Sequence, residues 1–360
     1  MKKNLKLFSV LAFLLLSTQA FAAKNDKSSV ETKVASVDVH GNVNLAIKTK
    51  QFGAKGFSIS DVVSVKVGDF KFTAPIVKDY SDVSNGEFLI RINGDEVSIA
   101  INMGNFSKVS GAKEGSSVSI TMKDRFGYLT PYHVRLLKKS EQRENFSSDE
   151  VFANFRTVSA GKIKESTLYR SCNPIITDAR APYAAKLVEK ANIKTVLNLM
   201  NSPDNFELLD NSPYYKNLSE NQNVILLGMG ISFSDEDFVS KLHDALSFLA
   251  SHEGPYLIHG KEGKNRTGYV IAVLEALCGS SMEEITDDYM LSFTNYYGVK
   301  KDTSQYKEIA KAVDYMFAKI NGGKPVTDKN IQAVTEKYLL KTVELSQSQI
   351  DSIKKNLCDI

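Results

Sequence analysis

The segment with the clearest chemical potential is a predicted strand, a glycine-containing turn and a helix at residues 256–268. Its sequence is Tyr-Leu-Ile-His-Gly-Lys-Glu-Gly-Lys-Asn-Arg-Thr-Gly. A helix N-terminus presents unpaired N–H groups and a positive dipole end, and consecutive amides in such a turn form a nest for an anion. Arg266 can donate two parallel hydrogen bonds to two oxygens, and Thr267 adds a hydroxyl donor. The spacing therefore predicts a binding site for a phosphoryl group.

This segment resembles the signature of the cysteine-dependent protein tyrosine phosphatase superfamily: His-Cys, five residues, Arg, then Ser or Thr. His259, Arg266, Thr267 and Gly268 match that signature, and Gly260 stands where the family has its nucleophilic cysteine. The resemblance makes the whole loop the predicted phosphate-binding site, which consists of Lys261, Glu262, Gly263, Lys264, Asn265, Arg266 and Thr267.

The resemblance continues over about residues 150–358. The segments Asn154-Phe-Arg156, Leu168-Tyr-Arg-Ser171 and Thr195-Val-Leu-Asn-Leu199 are similar to the bacterial tyrosine-phosphatase branch, which includes secreted and lipid-directed members. So is the ending from 338 to 350. The resemblance implies a phosphatase-like domain over residues 151–360, an α/β fold with a central sheet flanked by helices.

In this superfamily the cysteine thiolate attacks phosphorus and forms a phosphocysteine. Gly260 has no side chain, so that covalent step cannot occur there, whereas the amides and Arg266 do not depend on the cysteine. The His-Gly pair is similar to that of the phosphoserine/threonine/tyrosine-interacting pseudophosphatases, which bind phosphoproteins without turnover. The resemblance implies an inactive protein that binds a phosphorylated protein or an inositol phosphate and uses no cofactor or metal.

Two other functions stay open from the sequence. One is an active protein-tyrosine or phosphoinositide phosphatase with a non-cysteine nucleophile or a water activated by Glu262 or an Asp. The other is an exported structural or adhesion-type protein whose domains neither bind nor turn over phosphate.

The family's general acid is an Asp on a mobile loop before the cysteine, and Asp235 and Asp237 are the candidates. The alternative for both is a role at the helix N-terminus, where acids interact favourably with the dipole. Lys261 and Lys264 match lysines by which lipid phosphatases hold inositol rings, or they are solvent-exposed charges.

Two residues outside the loop are also part of the expected site. His259 is expected to form a structural hydrogen bond behind the loop, as the matching His does in the family. Arg170 either reaches the pocket or forms an interior ion pair.

Residues 1–22 are typical of an export signal. Lys2, Lys3 and Lys6 form a positive start, residues 7–16 are apolar, and Ala20-Phe-Ala22 fits a cleavage site. The apolar run is shorter than the about 20 residues that a membrane-spanning helix needs, so no transmembrane segment is predicted. We expect an exported protein, periplasmic or secreted.

The charge balance argues against nucleic acid as a partner. Three of the 45 basic residues lie in residues 1–22, which hold no acid, so 42 basic and 42 acidic residues remain. Without a net positive charge or a basic block, no nucleic-acid binding is expected.

Residues 30–137 alternate apolar and polar positions in short runs separated by turns such as Asn85-Gly86 and Asn93-Gly94. The pattern predicts a small all-β barrel or sandwich domain. The clearest runs are Val43–Ile47, Val63–Val67, Val97–Ile101 and Val118–Met122.

About residues 35–122 resemble the C-terminal barrel of the S-adenosylmethionine hydroxide adenosyltransferases. In that family the barrel holds the adenine side of the ligand, and Asp38, Asn42, Asn93 and Asn102 fall at matching positions. His40 replaces the family's aromatic residue, and the family's catalytic N-terminal domain is absent. We expect a non-catalytic barrel for stability or partner binding, with nucleoside binding as the alternative.

The polar residues 138–150 are the predicted linker, and strands alternate with helices after it, which indicates an α/β layer. The predicted helices are 177–190, 234–251, 265–277, 282–293, 303–319, 327–341 and 346–357, and the predicted strands are 195–200, 224–227 and 256–259.

The three cysteines leave at least one thiol unpaired within the chain. Cys278 is expected to be a buried small hydrophobic residue, and a Cys172–Cys358 disulfide is open. No Cys/His cluster has the spacing of metal ligands, so no metal is expected.

Overall fold

A computed structural model describes residues 28–230, 232–233 and 235–359. The predicted signal peptide at residues 1–22 and residue 234, where one predicted helix begins, lie outside the described residues. None of the helices in these ranges combines the length and the apolar composition that crossing a membrane requires.

The N-terminal unit is a closed seven-stranded barrel, as the alternating pattern predicted. Its strands are β1 (Ser29–Val37), β2 (Val43–Lys48), β3 (Val62–Val67), β4 (Phe70–Val77), β5 (Phe88–Asn93), β6 (Glu96–Ile101) and β7 (Ser117–Asp124). They follow the order β1-β2-β6-β5-β4-β3-β7, and β7 pairs with β1 to close the barrel. All neighbours are antiparallel except β4 and β5.

Inward-facing side chains of the barrel form one apolar core. On β3, Val63, Val65 and Val67 are buried, while the alternate side chains face outward, as strand geometry requires. Short helices α1 (Thr49–Ala54), α2 (Phe106–Ser110) and α3 (Leu129–Val134) accompany the strands. Phe52 and Phe106, from α1 and α2, are fully buried in the same core.

The C-terminal unit is an α/β domain, also as predicted. Its strands are β8 (Arg156–Thr157), β9 (Leu168–Ser171), β10 (Thr195–Asn198), β11 (Val224–Leu226) and β12 (Tyr256–His259). The sheet order is β11-β10-β12-β9-β8, so β12 is central. The pairs within β11-β10-β12-β9 are parallel, and β8 is antiparallel to β9.

Helices cover both faces of this sheet. They are α4 (Asp149–Phe152), α5 (Ala181–Lys190), α6 (Pro213–Glu220), α7 (Glu236–Ser251), α8 (Asn265–Leu277), α9 (Met282–Tyr297), α10 (Ser304–Ile320), α11 (Ile331–Lys341) and α12 (Gln347–Leu357). Short 3-10 helices span Tyr80–Asp82, Arg143–Asn145 and Pro203–Asn211. On β12, Tyr256 and Ile258 face one apolar cluster and Leu257 faces the other, so the strand is buried on both sides.

Three helix boundaries differ from the prediction by four residues, for local reasons. Helix α11 begins at Ile331 instead of residue 327, because the Asn330 side-chain oxygen accepts from the Thr327 amide at 2.8 Å and forms a turn before the helix. Helix α5 begins at Ala181 instead of residue 177, because the Asp178 carboxylate accepts from the amides of Arg180 and Ala181 and forms a turn. Helix α9 continues to Tyr297, where Gly298 adopts the left-handed conformation that ends it.

The barrel and the α/β domain are in direct contact. The rings of Phe126 and Tyr315 stack with centroids 4.1 Å apart. Lys319 Nζ lies 2.5 Å from a carboxylate oxygen of Asp124. The segment that follows β7 therefore rests on α10.

The expected cysteine chemistry is corrected by the structure. Cys278, expected to be unpaired, forms a disulfide with Cys358, and Cys172 is the buried free cysteine of the described chain. Cys278 is nevertheless buried, as expected. The bond joins the end of α8 to the end of α12 across 80 residues of sequence, so it fastens the C-terminal helix to the central one.

Replacing Cys358 by Ala should lower the free energy of unfolding by about 2–5 kcal/mol, since the bond closes a long loop in the unfolded chain. Denaturant titration without reductant measures the change. Reductant should destabilise the wild-type protein and leave the Cys358→Ala protein unchanged. Three reactive thiols in the denatured, unreduced wild-type protein, instead of one, would contradict this pairing.

Candidate functional site

The predicted phosphate loop lies at the carboxyl end of the central strand. Strand β12 ends at His259, residues 260–264 form a turn, and α8 begins at Asn265. Ligands of open α/β sheets gather at this edge. Every residue of α8 from Thr267 to Leu277 is buried, so the loop is carried by a helix that the core holds on all sides.

Four consecutive carbonyl oxygens of the loop accept hydrogen bonds from groups around it. The carbonyl oxygen of Lys261 accepts from Asn173 N at 3.1 Å, and that of Glu262 accepts from Asn154 Nδ2 at 3.0 Å. The carbonyl oxygen of Gly263 accepts from Arg170 Nη2 at 2.7 Å, and that of Lys264 accepts from Gly268 N at 2.7 Å. Within the described chain, no acceptor is bonded to the amides of residues 261–264. Buried amides without partners are rare, so this turn has free donors for an anion.

Gly263 is required by this geometry. Its φ is +65°, and a Cβ there would lie 2.1 Å from the carbonyl oxygen of Ser171. Any side chain would therefore clash with backbone and would be strained as well.

Gly260 lies at the base of the loop beside an unused hydroxyl group. A Cβ at Gly260 would lie 3.3 Å from Thr267 Oγ1 and 4.0 Å from Arg266 Nε. Thr267 Oγ1 is buried and has no hydrogen-bond partner within the described chain. The φ of Gly260 is not in the left-handed region, so a small side chain could be accommodated with a slight shift of Thr267.

Arg266 is in the first turn of α8 and half-buried. Its Nη1 donates to the carbonyl oxygen of Met229 at 2.8 Å and is 3.5 Å from that of Leu199. Burial lowers the pKa of Arg266. The guanidinium is thus held beside the loop by backbone carbonyls, which neutralise none of its charge.

His259 is fully buried behind the loop. Its Nε2 is hydrogen-bonded to the hydroxyl of Tyr215 at 2.8 Å, and its carbonyl oxygen accepts from Leu199 N at 2.9 Å. Burial lowers the pKa of His259 to about 3, so the ring is neutral at physiological pH.

Arg170 forms an interior ion pair and supports the loop from behind. It is fully buried, and its Nη1 is paired with Asp288 of α9, which also binds Arg156 Nε at 2.8 Å. Burial would raise the pKa of Asp288, but the charges of Arg156 and Arg170 lower it. Glu275 of α8 also lies close to these groups, and burial raises its pKa well above the usual range. Asp288, whose importance the sequence did not indicate, is therefore the shared counter-ion.

Glu262 and Lys264 are paired with each other at 2.8 Å and are not free at the loop surface. Lys264 is 6% exposed, and its Nζ also donates to the hydroxyl of Tyr297 at 2.7 Å. Lys264 is thus not the solvent-exposed charge that was one of the two sequence-based alternatives. Lys261 is exposed.

Asp235 is not brought into contact with the loop. It occupies the N-cap position of α7, but its carboxylate makes no capping hydrogen bond and lies 3.8 Å from Lys123 Nζ of the barrel. Asp237 pairs with Lys241 one turn along the helix. Within the described chain, no hydrogen bond or ion pair joins either acid to residues 260–267.

Cys172 lies next to the loop in the sheet, but its thiol is buried in an apolar cluster. It follows Ser171, which pairs with His259, so it is beside Gly260 in the register. The thiol is fully buried in the opposite apolar cluster, and burial raises the pKa of Cys172 far above its usual value. A buried protonated thiol is a poor nucleophile.

The polar barrel residues bond mainly within the barrel's own turns. Asp38 accepts from both the amide and the side chain of Asn42 at 2.9 Å. Asn102 Nδ2 donates to the carbonyl oxygen of Val83 and to Asn85. These contacts stabilise turns at one end of the barrel.

Comparison with known proteins identifies both units. The family model described as "Tyrosine phosphatase family" matches residues 152–359, more than half of the chain. The chain belongs to this family. The description "SAM hydroxide adenosyltransferase C-terminal domain" matches residues 32–119. No curated protein matches the chain.

Solved structures are similar to parts of the chain. An uncharacterized conserved protein from Thermotoga maritima is 36% identical over 26% of this chain and 36% of its own, with a TM-score of 0.25. A conserved hypothetical protein from Thermus thermophilus is 20% identical over 28% and 37%, with a TM-score of 0.20. This chain thus spans little more than a third of the length of either. The core catalytic domain of the PP-IP phosphatase SIW14 from S. cerevisiae is 23% identical over 45% and 85%, with a TM-score of 0.28.

Replacing Asp288 by Asn should destabilise the protein by about 3–5 kcal/mol, because two buried arginines lose their shared counter-ion. Thermal or denaturant unfolding measures the loss. Asp287→Asn is the matched control on the same helix. The Asp287 carboxylate pairs with exposed Lys301 and accepts from the Tyr306 hydroxyl, a bond that an Asn oxygen can also accept, so the substitution should cost about 1 kcal/mol or less. Equal effects of the two substitutions would show that Asp288 is not the counter-ion that holds the loop.

Proposed function

We propose that this protein binds phosphate monoesters at residues 260–267 and does not hydrolyse them through a phosphocysteine, which makes it a pseudophosphatase. The ligand chemistry is a phosphoryl dianion, carried by a phosphorylated protein or by an inositol phosphate. Free amides, the dipole of α8 and Arg266 supply the positive potential that such an anion needs.

The observation that carries this proposal is the base of the loop. Thr267 Oγ1 is buried, has no partner within the described chain, and faces the position where a side chain of residue 260 would lie. A buried hydroxyl without a hydrogen-bond partner costs free energy. The orphaned Thr267 hydroxyl therefore points to a partner that a bound ligand or a side chain at residue 260 would supply. In this proposal the loop has the amides and Arg266 that bind phosphate, and it has no nucleophilic side chain at residue 260.

An active phosphatase with another nucleophile has less support. Cys172 is buried and protonated, and no water-activating acid contacts the loop in the described chain except Glu262. Burial would raise the pKa of Glu262, but the charges of Lys264 and Lys139 lower it to about 2, and so weak a base is unsuited to activating water.

Export from the cytoplasm is part of the proposal. The Cys278–Cys358 disulfide supports it, because such bonds persist mainly in oxidising compartments. The charged start, apolar run and Ala20-Phe-Ala22 of residues 1–22 supply the matching signal. The barrel is proposed to serve stability or partner binding, since Asp38 and Asn102 are engaged in its own turns.

Calorimetry with inorganic phosphate, phosphotyrosine peptides and inositol phosphates tests binding and distinguishes the sources of the phosphoryl group. Arg266→Ala should weaken binding about 10–100-fold, since a charge-assisted hydrogen bond is worth about 1.5–3 kcal/mol. Arg91→Ala in the barrel is the control and should leave the affinity unchanged. Absence of saturable binding, or equal affinity in the Arg266→Ala protein, argues against the proposal.

Gly260→Cys should create hydrolysis of p-nitrophenyl phosphate, since a thiolate there would lie beside Thr267 and under the phosphate. Gly260→Ser, nearly equal in size, should remain inactive, and a second change, Arg266→Ala, should abolish the new activity. Turnover by the unaltered protein that depends on Arg266 would show a working phosphatase. A folded but inert Gly260→Cys protein would show that further catalytic parts are lost.

A further inference from the structure

The linker between the two units lies against the phosphate loop. Arg180 of the α/β domain, 1% exposed, donates from Nη2 to the carbonyl oxygen of Ser140 at 2.5 Å. Its Nε binds Glu141 at 3.0 Å. The linker is thus fixed at residues 140 and 141, and Lys139 is placed beside the loop, where its Nζ lies 3.0 Å from Glu262 Oε1.

These contacts form a continuous row of alternating charges. Glu141 joins Arg180 at 3.0 Å to Lys139 at 2.7 Å, and Glu262 joins Lys139 at 3.0 Å to Lys264 at 2.8 Å. The row contains three cations and two acids, and so has one net positive charge. The row begins at Arg180, which fixes the linker, and ends at Lys264 in the phosphate loop.

The ring of Tyr296 lies close to all three cations. Arg180 Cζ lies 4.3 Å, Lys139 Nζ 5.4 Å and Lys264 Nζ 5.6 Å from the centroid of Tyr296, which is 2% exposed. A cation near a desolvated ring is attracted to its face. The positions of the three cations are therefore set by packing as well as by their acids.

Glu262 is the acid within the phosphate loop itself, and a bound phosphoryl group would be repelled by it. Lys264 and Lys139 compensate this charge from two sides. Removing Lys139 would leave Glu141 and Glu262 without the cation between them, and the row would lose its net positive charge. The repulsion of an anion in a half-buried site is only weakly screened by salt.

We infer that the linker is a working part of the phosphate site: Lys139 neutralises Glu262 and thereby sets the affinity of the loop for phosphoryl dianions. The inference rests on the proposed function. Lys139 acts through Glu262 and is a positioning residue, not a ligand of the phosphate.

Calorimetric titration of the full chain with phosphotyrosine and with inorganic phosphate tests this role. Lys139→Gln should weaken binding about tenfold, because the dianion would then meet the Glu262 charge without its compensation by Lys139. Glu262→Gln should tighten it by a similar factor, and the double variant should return to within about twofold of the wild-type affinity. Lys139→Arg, which keeps the charge, should also bind like the wild-type protein.

Lys138→Gln is the matched control: it removes the same charge from the neighbouring residue, which is exposed like Lys139 but forms no ion pair within the described chain, and it should change nothing. If Lys139 had only a structural role, Lys139→Gln would weaken phosphate binding and the added Glu262→Gln would not restore the affinity. That result overturns the inference. So does a Lys139→Gln protein that binds like the wild type. If the wild-type protein binds neither ligand, the proposed function fails and the inference with it.

Discussion

The hydrogen bonds that turn four loop carbonyls outward are the constraint on which the rest of the site depends. In a trans peptide unit the C=O of one residue and the N–H of the next point in opposite directions, so outward carbonyls at residues 261–263 direct the amides of residues 262–264 toward the centre of the turn. Arg170 donates one of these hydrogen bonds, to the carbonyl oxygen of Gly263. The carboxylate of Asp288 compensates the buried charge of Arg170. The turn is therefore held from behind by groups that do not depend on the residue at position 260.

This arrangement separates binding from chemistry in physical terms. Binding needs donors, a dipole and Arg266, all of which belong to the backbone or to the first turn of α8. Under the proposed function, covalent chemistry would need a nucleophilic side chain at residue 260, which glycine does not have. The linker also contacts the loop through the ion pair of Lys139 with Glu262.

Much of this could be predicted from sequence, and the exceptions have physical causes. The β alternation of the barrel and helix α8 were predictable because period-2 patterning and the loop motif are local signals. The Cys278–Cys358 pair was missed because two positions 80 residues apart meet only after α12 packs beside α7. Asp288 and the pairing of Lys264 were not predictable either, since an acid or lysine on a helix looks alike whether it faces solvent or the core.

The most direct test of the central claim is a crystal structure of the unaltered protein grown with orthovanadate. The account predicts an anion whose oxygens lie about 2.7–3.1 Å from the amides of residues 261–264 and from the Arg266 guanidinium, with the carbonyls of the turn still bonded outward. An empty turn at saturating vanadate, or one whose carbonyls face its centre, would contradict it.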